Sequence, residues 1–328
     1  MKPFDPVALA TPAFVLLVIA EMLFVRFTGR GRFEAKDTAA SLMMGFGSTI
    51  MGTAFAFIFL GFAKLIQPYA LFHIGWSWPA AIACFVLDDL RYFWWHRASH
   101  RVRWLWADHV NHHSSQHYNL STALRQPWGG FLALPGLMFL APLVLIGFPL
   151  PMIAFVHGIN LVYQFWIHTE SIGRFPKWFE AVMNTPSHHR VHHAVNARYL
   201  DANYAGVFIV WDRMFGTFVA ERDDDKPRYG IVGQIGSFNP LRIAAHGWVS
   251  LGSDLWRARS LKHAALYLFA APGWSPDGSR ETSDSIKARW AAAQPAMPAP
   301  VPAIGTVPGT GTVPLPVPGT AAVQSPAE

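Results

Sequence analysis

Charge is what this sequence has least of. Of its 328 residues 14% are charged and 52% are hydrophobic, where a soluble domain carries about 25% charge. The length would suit two soluble domains, but so few charges cannot coat them. One membrane-embedded domain with appendages fits better. Cysteine occurs once, at Cys84, which excludes a disulfide framework and any CxxC zinc or redox motif. No HExxH zinc-protease box and no Rossmann GxGxxG is present. Basic residues outnumber acidic ones, giving a formal net charge of +6. They lie in short loops between apolar runs, a pattern of membrane orientation and not of a phosphate-tracking face, so no nucleic-acid partner is expected. What is abundant is histidine: fifteen in all, twelve of them between His96 and His193.

Four apolar regions set the organisation. The first runs from about Pro6 to Phe27 with only Glu21 and Arg26 inside it, and reads as a retained helix, not a signal peptide. The second runs from about Ser41 to Ile66, with Gly45, Gly47, Gly52 and Gly61 permitting close helix contact. A third, Ile74 to Leu87, ends at Asp88-Asp89. The fourth, Trp128 to Trp166, is broken by Pro142, Pro149 and Pro151 and reads as a helical hairpin. Arg26 at the end of the first run and Arg30, Arg32 and Lys36 after it precede the second run, while Gln67 to Ser77 has no Lys or Arg. The positive-inside rule then puts every histidine cluster on the cytoplasmic face. The expected architecture is all-α and integral to a membrane, with four transmembrane helices and a cytoplasmic helical cap holding a histidine-rich di-metal site. Residues 1–40 form a first helix and basic loop, 41–240 the catalytic domain, and 241–290 an amphipathic region including Trp248 to Leu268. Residues 291–328, with nine prolines, form a disordered tail. A bacterial inner membrane is the expected location.

The histidines fall into four clusters. They are His96-Arg-Ala-Ser-His100, then His109-Val-Asn-His112-His113, then His168 four residues after Gln164, and last His189-Arg-Val-His192-His193 preceded by His188. On a helix, positions i, i+3 and i+4 share a face, so each cluster aims its imidazoles at one point. Neutral imidazole suits iron and zinc. Burying this many imidazoles without a metal would leave many polar nitrogens to satisfy, and nine are too many for one ion, so two metals are expected. His188 stands i, i+4 from His192, but His189 alone completes the HxxHH box. His73, His117, His157, His246 and His263 lie outside the spacing and read as surface or core residues.

That order of boxes resembles the fatty acid hydroxylase and sterol desaturase superfamily of membrane di-iron oxygenases, and within it the alkylglycerol monooxygenase branch. The likeness rests on Asp89 to Arg97, Asn111 to Ser115, Tyr118 to Gln126, Tyr163 to Glu170 and Asn184 to His193. Asn203, Tyr204, Gly206 and Trp211 to Thr217 continue it, so that it covers roughly residues 40 to 240. The resemblance implies His96, His100, His109, His112, His113, His168, His189, His192 and His193 as ligands of two iron ions, with zinc as a substitute in purified protein. Other branches have histidine where Gln164 stands, so Gln164 and His188 remain alternative ligand positions. The animal enzymes have an acidic residue, associated with their pterin, directly after the second histidine of the HxxxH box. Arg101 stands there in this chain, which argues against pterin as reductant.

The function these features imply is O2-dependent hydroxylation or desaturation of a C–H bond in a lipid. Iron does the hard step and the protein positions the substrate and excludes water. Electrons must come from a separate donor protein or a diffusible reductant. Asp88, Asp89, Glu170 and Asp212 are candidates for orienting the ligands from outside, or for pairing with Arg91, Arg97 or Arg190; the resemblance puts Asn203 near the metals too, with an ordinary turn as its alternative. Trp94 and Trp95 would flank the lipid entrance. The alternatives are a histidine-rich metal transporter or sensor, and a zinc-dependent membrane hydrolase.

Overall fold

The computed structural model describes residues 5–294; the proline-rich tail expected from 291 falls outside them from 295 onward. The described residues are helical, with isolated β-bridges and no strand. Helix α1 spans Pro6–Thr28. Asp5 caps it by accepting the amides of Val7 and Ala8, and Gly29 ends it with φ 68°, the left-handed conformation glycine adopts freely. Helix α2 spans Ala35–Ile66 and runs on into a 3₁₀ turn at Gln67–Tyr69. Both stretches are long and apolar enough to cross a bilayer, and both are barely covered by the rest of the chain. Leu16, Phe27, Phe46 and Phe57 project from them, fully or half exposed.

Helix α3, Trp78–Arg101, starts at the Ser77 cap and continues without a break past Asp88-Asp89 to the HxxxH box. The apolar run and the first histidines therefore share one rod. Helix α4, Arg103–His113, follows directly and carries the first HxxHH. The fourth apolar region does turn back on itself, at Gly147 (φ 109°) and Pro149. Its arms are unequal: the 3₁₀ segment Gly130–Phe139 with the six-residue α5, Ala141–Ile146, and then α6, Leu150–Trp166. Where α2, α3, α5 and α6 meet, Ala63, Cys84, Val144, Met152 and Val156 form a buried apolar cluster.

Short helices follow: α7 (Lys177–Glu180), α8 (Pro186–His192) and α9 (Val210–Met214). The expected amphipathic helix over Trp248 to Leu268 is instead two, α10 (Pro240–Trp256) and α11 (Leu261–Phe269), because Ser260 caps a new start by accepting the amide of His263. α10 packs on α4 so closely that a Cβ on Gly247 would lie 2.2 Å from the Ala107 carbonyl oxygen. Helix α12, Ser283–Ala292, closes the described chain.

Buried charges lock these helices around the histidines. Glu21, in the middle of apolar α1, accepts the amide of Leu120 at 2.7 Å and the hydroxyls of Thr169 and Ser171. Arg125 and Asp37 form an ion pair in which both side chains are at most 3% exposed. The guanidinium also reaches Ser41 and Ser114, while Asp37 accepts from Ser115 and His117. Removing one partner strands the other charge. Arg125→Met should lower stability by about 3–5 kcal/mol, and the double variant Asp37→Leu/Arg125→Met should lose less. Thermal unfolding in detergent measures both, and an unchanged midpoint in Arg125→Met would show that the pair does not hold α2 to the site.

Candidate metal centre

Three helices and one loop end deliver the imidazoles. The last two turns of α3 bring His96 and His100; α4 brings His109, His112 and His113. His168 stands just past α6, and α8 with its C-terminal residue brings His189, His192 and His193. All nine are buried. They sort into two groups, one of His96, His100, His109, His113 and His192 and one of His112, His168, His189 and His193. Within each, one ring nitrogen per residue lies within 4.8 Å of all the others. These are two buried histidine groups able to hold metal ions.

Tautomers follow from the partners. A carbonyl can only accept, so a ring nitrogen bound to one must carry the proton. His96 Nδ1 donates to Tyr204 O at 2.8 Å, His112 Nδ1 to Arg125 O at 3.2 Å, His168 Nδ1 to Gln164 O at 2.7 Å and His192 Nδ1 to Ala202 O at 2.9 Å. Each of these rings then turns a bare Nε2 lone pair inward. His112 Nε2 and His168 Nε2 face each other at 3.3 Å, two acceptors with no hydrogen to share. Two nitrogens about 2.1 Å from a common ion stand roughly 3.0–3.4 Å apart at octahedral to tetrahedral angles. The contacts His96–His109 (3.0 Å), His109–His113 (3.2 Å) and His168–His189 (3.0 Å) fall in the same range. Nε2 of His100, His192 and His193 is buried with no partner at all. The donor set fits metal.

Electrostatics agree. Burial, with neighbouring imidazoles adding to it, holds His109, His113, His189 and His193 well below the ordinary histidine range. Burial takes His112 down to about 4. Neutral imidazole is the ligating form.

The alternative ligand positions have other partners. Gln164 Nε2 donates to Asn160 Oδ1 at 2.6 Å, and His188 faces Glu180 and the Phe218 ring. His188 is not among the histidines of the two groups. Asp89 does not touch a histidine: it accepts the amides of Val207 and Phe208, the Trp211 indole and the Asn160 amide. Gly206 has to be glycine, since a Cβ would sit 2.8 Å from both Asp89 and Asn160. Asp212 accepts the amides of Tyr204 and Ala205, and burial lifts its pKa to about 6. Both carboxylates thus hold the loop whose Tyr204 carbonyl aims His96. Asn203, at φ 56°, ties that loop to the carbonyls of His188 and Val219. Asp88 pairs with Arg91 and His157. Among the described residues no hydrogen bond joins Glu170 to any of the nine histidines; it lines a polar cavity with Arg190 and Tyr229.

Three contributors were not foreseen. Asp201 Oδ1 stands 3.5 Å from His100 Nδ1, among the described residues the one carboxylate beside a clustered imidazole; no helical spacing points to it. Arg125 acts through its carbonyl, which sequence cannot mark. Glu21 left a usable signal, an acid alone in an apolar run. Of the histidines outside the boxes, His117 meets Asp37, His157 meets Asp88, and His246 Nδ1 meets the Ile243 carbonyl.

Comparison with known proteins matches the fatty acid hydroxylase family model to residues 81–217. Alkylglycerol monooxygenase of Homo sapiens is 38% identical over 282 residues, covering 84% of this chain and 61% of the human protein. The chain thus spans about three fifths of that relative. An ornithine lipid hydroxylase of Rhizobium tropici is 26% identical over 71% of this chain and 72% of its own length. Cholesterol 25-hydroxylase of Homo sapiens is 28% identical over 41% of this chain and 49% of its own. No solved structure matches. The matched residues 81–217 hold every box from His96 to His193, so the likeness to the fatty acid hydroxylase family covers the whole candidate metal centre.

Proposed function

We propose that this chain is an O2-dependent oxidoreductase that hydroxylates or desaturates a C–H bond of a lipid, using two iron ions held by the nine histidines. The observation that carries the reading is the pair of inward lone pairs on His112 and His168, because only a shared cation makes that contact favourable. Donors that are all neutral imidazole, in groups of five and four, suit iron with positions left for O2, and zinc as a substitute. The relatives named above are a monooxygenase and two hydroxylases, each named for a lipid or glycerol ether. They do not favour the transporter, sensor or hydrolase alternatives.

Bound there, the two irons supply O2 activation and hydrogen removal. The chain's own residues do the remaining work. Backbone carbonyls of Arg125, Gln164, Ala202 and Tyr204 hold four rings in one tautomer, and Asp201 orients His100. Buried aromatic rings of Tyr118 and Tyr204 pack on the imidazoles and keep water out. Electrons come from a separate protein or a diffusible reductant. Arg101 is engaged by Asp201 and Asp284, which weighs against pterin.

For topology we infer four membrane-embedded regions: α1, α2, the apolar part of α3, and a hairpin ending in α6 that enters and leaves on the same side. The histidines then lie on the cytoplasmic side of a bacterial inner membrane, with residues 41–240 as the catalytic domain. In a Cys84→Ala background, an impermeant thiol reagent added from outside should label Phe72→Cys and spare Gln116→Cys. The reverse pattern would invert the orientation.

Elemental analysis of active protein should give two metal ions per chain, iron when turnover is highest. One ion or none would overturn the di-metal reading. His100→Ala, His112→Ala and His192→Ala should each lose at least one ion and all turnover. His117→Ala and His263→Ala should keep both ions, since neither ring points into the groups. Full activity in His112→Ala and His192→Ala would defeat the oxygenase assignment.

A further inference from the structure

Beside the metal centre, on the other side of the Asp201–Tyr204 loop, lies a separate cavity of about 690 Å³ between the end of α3 and α12. Its wall toward the imidazoles is thin. The Tyr204 ring, which lines it, sits 5.3 Å from the His100 ring, and the carbonyl of Ala202, another lining residue, takes the His192 proton. Three cations face the cavity: Arg97, Arg101 and Lys287. Arg101 is spent on Asp201 and Asp284. Among the described residues Arg97 has no hydrogen bond or ion pair, and its guanidinium only overlies the Trp94 ring at 5.4 Å. Lys287 has no carboxylate within ion-pair distance either, although Asp201 and Asp284, which also line the cavity, act on its charge from farther off.

The rim is of opposite character. Trp94 and Phe139 line the cavity, Phe215 packs on Trp94 with ring centroids 4.8 Å apart, and Met138 and Met214, next in the chain to Phe139 and Phe215, are about two-thirds exposed. Two cations outside any ion pair, behind an exposed apolar rim, match one kind of molecule, an amphiphile with an anionic head. A free anion would gain from the cations but leave the rim in water.

We propose that this cavity binds the anionic headgroup, phosphate or carboxylate, of a membrane amphiphile. Arg97 and Lys287 meet the charge, and Trp94, Phe139 and Phe215 meet the start of the chain. A second cavity of about 310 Å³ opens on His100, His113, His192 and His193. Asp201 lines both cavities, and α12 gives Asp284 and Lys287 to the first and Ser283 and Ile286 to the second. An amphiphile anchored at Arg97 therefore lies next to the space that reaches the imidazoles. Its identity as the substrate rests on the lipid-oxygenase reading; its binding does not.

The test uses the full chain in phosphatidylcholine nanodiscs, doped with increasing fractions of brominated phosphatidylglycerol or, in a parallel series, brominated phosphatidylcholine. The Trp94 contribution to quenching is the difference between the native chain and Trp94→Phe. Phosphatidylglycerol should quench it at a concentration about fivefold lower or better, given the usual gain per cation at a membrane surface. Arg97→Gln/Lys287→Gln should erase that preference while metal content stays the same. Equal quenching by the two lipids, or relief of quenching by micromolar inorganic phosphate, would overturn the proposal, the latter by showing a free-anion site. Retained lipid preference in a chain that never binds metal would defeat the oxygenase reading and leave this site standing. Equal quenching in a chain with two irons would do the opposite.

Discussion

Everything in this fold depends on where four imidazole protons go. The Nδ1 hydrogens of His96, His112, His168 and His192 are handed to main-chain carbonyls, and that choice forces the other nitrogen of each ring inward as a lone pair. A carbonyl aims a ring only as well as its own peptide is held. One of the four, at Gln164, sits in the regular geometry of α6. The other three lie in irregular chain and need outside support.

That support accounts for most of the buried charge. Arg125 is fixed by Asp37, Ser41 and Ser114. The Tyr204 peptide is held through Asp212 and, farther along the loop, through Asp89. Glu21 draws α1 against the chain on either side of the cluster, at Leu120 and Thr169. A scaffold with so few charged residues spends these few on holding backbone. Isolated, each would be costly to bury; hydrogen-bonded several times over, each converts its desolvation cost into a single allowed geometry.

The large features were legible in the sequence for physical reasons. Apolar runs with capping residues mark α1 and α2, and spacing of three and four places His96 with His100, and His109 with His112 and His113, on common faces. Preference for His189 over His188 followed from that spacing, and the structure sets His189 against His168 and His188 against Glu180. What stayed hidden is what has no local pattern. Carbonyl acceptors are anonymous in a sequence, and Asp201 reaches His100 across 101 positions. Gln164 stands where other branches have histidine, and the tie of its Nε2 to Asn160 is another contact that no local pattern announces. The first arm of the hairpin tightened into a 3₁₀ segment around Pro135, a departure from the α-helix that apolarity alone does not announce.

The unbroken path of α3 carries a further meaning. Asp89 and His96 are seven residues apart, two helical turns, and so lie on one face about 10 Å from each other along the axis. The same short loop is gripped at both points, its amides at Val207 and Phe208 by the carboxylate and its carbonyl at Tyr204 by the imidazole. Helix and loop are therefore in phase, like two racks meshed at two teeth. A residue inserted between them would leave every histidine box intact and yet turn His96 by 100° away from its partner. The distance from Asp89 to His96 is thus a length code of the site, written outside any box.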